Sequence, residues 1–105
     1  MSSSSEQIAR EFAQRVREKV SEQPREIYLF GSRARGDEDP DSDYDVLIVV
    51  ESKSRELEDH VFEVAAELLD RYDALVVPMI CTAEKFDYFK EVGLYREVVR
   101  EGVQL

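Results

Sequence analysis

The chain has 105 residues, enough for one domain with a real core, and 43% of them are apolar. Its 24 acidic residues against 14 basic ones give a net charge of −10, which repels phosphate backbones and anionic bilayers and so argues against a general nucleic-acid binder or a membrane-docking protein. Cys81 is the single cysteine, so no internal disulfide framework exists. No apolar run approaches the roughly 18 residues of a membrane span, and Met1 to Glu11 lack the basic start and apolar stretch of a signal peptide, which points to the cytoplasm.

Residues 1–5, with serines at 2 to 5, read as a disordered start that also caps the first helix. In that helix Ile8, Phe12, Val16 and Val20 recur every four residues with Ala9 and Ala13 beside them, an amphipathic stripe that ends before Pro24. Glu26 to Phe30 is short, β-prone and bounded by Pro24 and Gly31, and predicts a strand. After a polar stretch, Tyr44 to Val50 is a nearly continuous apolar run of the length of one buried strand. Leu57, Val61, Val64, Ala65, Leu68 and Tyr72 trace a second, longer helix.

Ala74 to Ile80 predicts a third strand, and Pro78, which lacks a ladder donor, puts that strand at a sheet edge or interrupts it there. Thr82 is placed to cap a short helix carrying Phe86 and Phe89, and Leu94, Val98 and Val99 mark a last helix stopped at Gly102. Strands interleaved with helices imply an α/β or α+β fold, a mixed sheet with helices packed on it, in one domain over residues 1–105.

The loop between the first two strands carries the chemistry. Asp37, Glu38, Asp39, Asp41, Asp43 and Asp45 put six carboxylates into nine residues, and such a cluster repels itself unless water, arginine or a cation intervenes. Asp43 and Asp45 sit at i and i+2 where the second strand begins, so both face one side of the sheet while Tyr44, Val46 and Ile48 face the other. Two carboxylates about 7 Å apart on a rigid strand can converge on a hard cation, and Mg²⁺ suits them because it completes its shell with water and substrate phosphates. Mn²⁺ satisfies the same ligands.

Gly31-Ser32 supplies the complementary half of such a site. Gly31 lets backbone approach a ligand closely, and the Ser32 hydroxyl and nearby N–H groups can bond phosphate oxygens, the more so if a helical turn starts at Ser32. Arg33 and Arg35 lie within the same turn, where they either contact phosphate or pair with the acidic loop. A Walker A loop is excluded because Asp37 and Glu38 follow Gly36 where Lys and Ser/Thr are required. An EF-hand is excluded because loops starting at Asp37, Asp39 or Asp41 lack both the Gly at position 6 and the Glu at position 12.

Gly31-Ser32, a gap of ten residues and Asp43-Tyr44-Asp45 resemble the nucleotidyltransferase superfamily typified by DNA polymerase beta and kanamycin nucleotidyltransferase. The wording Gly-Ser-Arg-Ala-Arg-Gly and Asp-Ser-Asp-Tyr-Asp, and the ending from Leu94 to Val103, are similar to the small stand-alone members, the minimal nucleotidyltransferases, including the antitoxins of HEPN–MNT pairs. The resemblance runs from the first strand nearly to the C-terminus. It implies a mixed sheet with helices on one side and Mg²⁺-dependent transfer of AMP from ATP, with two metal ions. In it Gly31 and Ser32, with Arg33 and Arg35 nearby, hold the triphosphate, and Asp43 and Asp45 bind metal. A third carboxylate on the third strand completes the family's site, and Asp73 is the nearest candidate, although the centre of that strand, Val76-Val77-Pro78, contains no acid.

Larger relatives carry a further region that holds the acceptor, so here the acceptor platform is expected from a second copy of the chain or from another protein. The resemblance implies a helical HEPN-type partner, adenylylated on a tyrosine. The alternative is a nucleotide-binding module of weak activity that neutralises a partner by steric contact. Of the remaining residues, His60 reads as a partly exposed surface residue and Cys81 as buried packing. Phe86, Tyr88, Phe89 and Tyr95 serve either as a partner patch or as the core of the last helices.

Overall fold

The computed structural model describes residues 4–36 and 42–105. Asp37, Glu38, Asp39 and Asp41 of the acidic loop, and Ser2 and Ser3, lie outside the described residues. In chain order the elements are α1 (Ser4–Lys19), β1 (Glu26–Phe30), α2 (Ser32–Arg35), β2 (Tyr44–Val50), α3 (Arg55–Tyr72), β3 (Val76–Thr82), α4 (Ala83–Phe89), α5 (Gly93–Glu101) and β4 (Val103–Gln104). The strands form one mixed sheet in the order β3-β2-β1-β4. β1 runs antiparallel to β2 and to β4, whereas β2 and β3 are parallel and joined through α3. No helix among the described residues is long and apolar enough to cross a membrane.

Alternation along β2 sends its side chains into two apolar layers. Tyr44, Val46, Ile48 and Val50 pack with Ile27 and Leu29 of β1 against Phe12 and Val16 of α1 and Val61, Val64 and Leu68 of α3. Leu47 and Val49 pack on the opposite face with Phe30, Cys81, Phe86 and Val98. The expectation of helices on one side is therefore corrected: α4 and α5 cover part of the second face. The physical reason lies in β2 itself, whose apolar run leaves Leu47 and Val49 needing cover as much as their neighbours. Phe86 is buried and stacks with Tyr28 at 5.9 Å and edge-on with Tyr95 at 6.2 Å, so these aromatics serve the core, whereas Tyr88 is 80% exposed. Cys81 is buried as expected, and His60 is partly exposed between Glu56 and Glu63.

The structure differs from the sequence reading in three further places. Ser4 and Ser5 belong to α1 rather than to a disordered start, because Ser5 is buried and hydrogen-bonded to Arg33. β3 begins at Val76, two residues later than expected, and runs uninterrupted to Thr82 along the sheet edge. Tyr44 N–H donates to Leu75 C=O, and the alternation of a parallel ladder then turns the backbone of residue 78 outward, so proline there breaks no bond. β4, which the sequence reading missed, pairs Gln104 with Tyr28 and Val103 with Leu29. Gly102 does stop α5, in extended rather than left-handed backbone, and a Cβ there would run into the carbonyl oxygens of Val98 and Leu29. That close pass is what lets the tail turn onto β1.

Candidate active site

The site forms where the last residue of β1 meets the first residues of β2. Phe30 is the register partner of Asp45. Gly31 comes next at φ 78°, ψ −159°, a conformation essentially reserved for glycine. A Cβ at Gly31 would stand 2.5 Å from Asp45 Oδ2, so the absence of a side chain is what lets the carboxylate lie against the turn. The Gly31 carbonyl accepts from Ala34 N–H (3.1 Å) and Arg35 N–H (3.2 Å), closing the one-turn helix α2, which opens at Ser32 as expected. Gly36 leaves it in left-handed backbone (φ 80°) with its N–H on Ser32 C=O.

Asp43 immediately precedes β2 and is exposed, while Asp45 is its second residue and is half-buried. Leu47 and Val49 belong to the α4–α5 layer, and Asp45 shares their side of the strand. Burial pushes the Asp45 carboxyl above the ordinary aspartate range, and the charge of Asp43 pushes it further. Asp43 and Asp45 thus bring two carboxylates together at the start of β2, an arrangement that suits a divalent cation.

The two arginines of the turn diverge. Arg33 donates from Nε to Ser42 C=O (2.8 Å) and from Nη1 to Ser5 Oγ (2.9 Å), and its Cζ lies 4.0 Å from the centroid of the Tyr44 ring. Arg35 is exposed and sits 3.5 Å from Glu97 and 3.7 Å from Glu101 of α5.

Asp73 does not start the third strand. It caps α3 in left-handed backbone (φ 54°, ψ 34°) with its N–H on Leu69 C=O, three residues before β3 begins. It lines a cleft of about 400 Å³ together with Asp43, Arg33, Tyr72 and Leu75. Among the described residues, however, no three Asp, Glu, His or Cys side chains gather as a metal-ligand cluster. The β3 residue in register with Asp45 is Val77, and Met79 lies on the same face; each is 38% exposed. Beside Asp45 on β3 this chain therefore presents two apolar side chains. Sequence reasoning missed Val77 and Met79 because their nearness to Asp45 depends on the parallel register of β2 and β3. It missed Ser5 and Tyr44 as partners of Arg33 because both lie distant from it in the chain.

The nucleotidyltransferase domain, as a family, matches residues 9–102. A candidate protein adenylyltransferase of Methanocaldococcus jannaschii is 31% identical over 97 residues, covering 92% of this chain and 93% of the relative. A second candidate protein adenylyltransferase of the same organism is 35% identical over 75 residues, covering 70% and 76%. Among solved structures, a toxin–antitoxin with AMP-PNP aligns with a TM-score of 0.65 at 21% identity, over 91% of this chain and 70% of the other. The Shewanella oneidensis complex of a tri-AMPylated HEPN toxin with an MNT antitoxin aligns at 0.56 and 18% identity, over 95% and 70%. At these identities the structural likeness concerns the fold, and it agrees with the mixed sheet and its five helices. Strand order, the glycine turn pressed on an aspartate of the next strand, and the match over residues 9–102 converge: this chain belongs to the nucleotidyltransferase family.

Proposed function

We propose that this protein transfers AMP from ATP, with Mg²⁺, to a tyrosine hydroxyl of a partner protein, and that the partner is a HEPN-type toxin which it silences as antitoxin. The observation that carries the reading is the close approach of Gly31 to Asp45, which sets the glycine turn directly against one carboxylate of the pair. In this reading Gly31 and Ser32 hold the triphosphate, Arg35 lies at its edge, and Asp43 and Asp45 hold Mg²⁺ as one or two ions. The residues fit that cation: both are hard oxygen ligands, and the charge of Asp43 that opposes ionisation of Asp45 is what it would offset. Bound there, Mg²⁺ supplies positive charge against the phosphate oxygens. In this reading Asp73 enters as a wall of the cleft beside Asp43.

In the transfer, the acceptor oxygen forms a bond to the α-phosphorus, the bond from that phosphorus to the β-phosphate's bridging oxygen breaks, and pyrophosphate leaves with its electron pair. The acceptor's proton passes to solvent water. Val77 and Met79 favour a phenol as acceptor, because they offer an aromatic ring an apolar seat beside Asp45. A phenol also ionises near pH ~10, which lessens the need for a strong base on β3. The names of the M. jannaschii relatives support AMP transfer to protein, and the neighbours crystallised as toxin–antitoxin complexes support the partner class. The reading also sets the protein in the cytoplasm, where it meets ATP.

The test uses ATP labelled at the α-phosphate, Mg²⁺, purified protein and extract of its source cells. A labelled protein band that disappears with Asp43→Asn establishes the transfer and delivers the partner. The apolar β3 positions also favour a second reading, a nucleotide-binding module that inhibits by contact. In that case the variant Asp43→Asn with Asp45→Asn keeps its biological effect, and no band forms.

A further inference from the structure

We infer that Arg33 is a positioning residue that locks the Ser32 turn to the Asp43–Asp45 strand, rather than a ligand of phosphate. The inference rests on the proposed function, in which those two segments form one site. Arg33 lies directly after Ser32, and Ser42, whose carbonyl it bonds at 2.8 Å, lies directly before Asp43. One guanidinium therefore joins the peptide neighbours of both halves of the site. Asp43 precedes the first residue of β2, so the strand ladder does not fix it directly. The bond to Ser42 on one side and that of Tyr44 N–H to Leu75 C=O on the other hold its backbone from both directions.

Two further contacts of Arg33 show why arginine is required. Its Nη1 bonds Ser5 Oγ at 2.9 Å, and Ser5, 1% exposed, is the one buried polar residue among those described. A buried hydroxyl needs a partner, so the first turn of α1 is tied to the same guanidinium. The Cζ of Arg33 lies over the Tyr44 ring, and Tyr44, 4% exposed, belongs to the α1–α3 layer. Asp45 faces the other side of β2. The guanidinium is thus held on the side of the strand away from the Asp45 carboxylate. Two N–H bonds from different nitrogens and a cation over an aromatic ring are a combination that the single ammonium of lysine does not reproduce.

The test compares the full chain with Arg33→Lys and with Ser5→Ala, which leaves every residue of the turn and the strand in place. Two readouts are taken: kcat and KM for MgATP in AMP transfer, and hydrogen exchange of the amides at Ser32–Arg35 and Asp43–Asp45. A positioning role predicts that Arg33→Lys lowers kcat about 10-fold or more while KM stays within about 3-fold, since misplacement acts on the reaction more than on binding. Ser5→Ala changes kcat in the same direction by a smaller factor. Exchange in both segments rises about 10-fold while Val46 and Ile48 stay protected, the pattern of a local and not a global opening. A KM that rises at unchanged kcat makes Arg33 a phosphate ligand and overturns the inference. So does exchange in both variants that matches wild type. If wild-type protein transfers no AMP, the proposed reaction fails by itself, and the exchange experiment alone decides the role of Arg33.

Discussion

Replacing Gly31 with alanine adds one carbon where the end of β1 and the start of β2 come closest, and its effect can be worked from two quantities. Alanine at φ 78°, ψ −159° is strained by ~1–3 kcal/mol, since that region is essentially glycine-only. The new Cβ also meets Asp45 Oδ2 at 2.5 Å, well inside the ~3.5 Å of comfortable non-bonded contact. Rotating the Asp45 carboxylate out of its well to clear it costs a further ~0.5–1.5 kcal/mol. The sum is a loss of ~1.5–4.5 kcal/mol, which lowers Tm by about 6–30 °C in a domain of this size. Urea denaturation should show the loss as a lower midpoint at constant slope. Combining Gly31→Ala with Asp45→Ala removes the collision and leaves the strain, so the cycle should return ~1 kcal/mol of coupling. On the proposed function Mg²⁺ should raise the denaturation midpoint of wild type, and the displaced carboxylate should weaken that rise. A Gly31→Ala protein within ~0.5 kcal/mol of wild type, with the Mg²⁺ effect intact, refutes the reasoning.

The same carboxylate gives the metal-free protein a pH signature. Because burial and then Asp43 raise its folded pKa, Asp45 favours the fold when protonated, and that contribution is lost as pH rises through the raised value. Asp45→Asn should therefore gain on wild type in urea midpoints measured from the ordinary aspartate range toward neutrality, and a flat difference contradicts this. The acid limb has the opposite sign: Lys19 and then Arg15 hold Glu67 below the usual glutamate range, so its contribution is present above that range and lost as pH falls through the lowered value. Glu67→Gln should flatten that limb in low salt and have less effect in high salt, because both pairs are open to solvent and screened. On β3, Pro78→Val should change stability by less than ~1 kcal/mol, whereas Met79→Pro, which removes an inward donor, should cost ~3 kcal/mol or more. Thermal denaturation separates the two.

What could be read from the sequence was what is written locally. Gly31, Ser32, Asp43 and Asp45 announce themselves because a glycine after a short β-prone run, and acids at i and i+2 opening an apolar one, need only strand periodicity to be placed. Arg33 could not be assigned in the same way, since its role depends on Ser5, 28 residues earlier, and on the ring of Tyr44. Ser5 itself hid inside a serine run whose composition suggests disorder. Asp73 was placed near the third strand because the boundary between α3 and β3 is set by a left-handed cap, which aspartate tolerates but does not dictate. β4 is two residues long, too short for any period to reveal, and depends on a glycine whose reason is the nearby Leu29 carbonyl.

The sheet topology divides the candidate site between its two neighbours. β1 is antiparallel to β2, so its last residues and the glycine turn lie beside the first residues of β2. β3 is parallel to β2, so its first residues lie beside the same point from the other flank. Asp45 therefore stands between Gly31 on the β1 side and Val77 on the β3 side. In the proposed reaction the triphosphate belongs to the first flank and the acceptor to the second. β3 is also the sheet edge, and residue 78 turns its proline outward there, so the edge resists a strand that would pair with it. An acceptor carried on a folded partner can approach along this flank by side-chain contact with Val77 and Met79. Its hydroxyl then reaches Asp45 without crossing the ground that the nucleotide occupies.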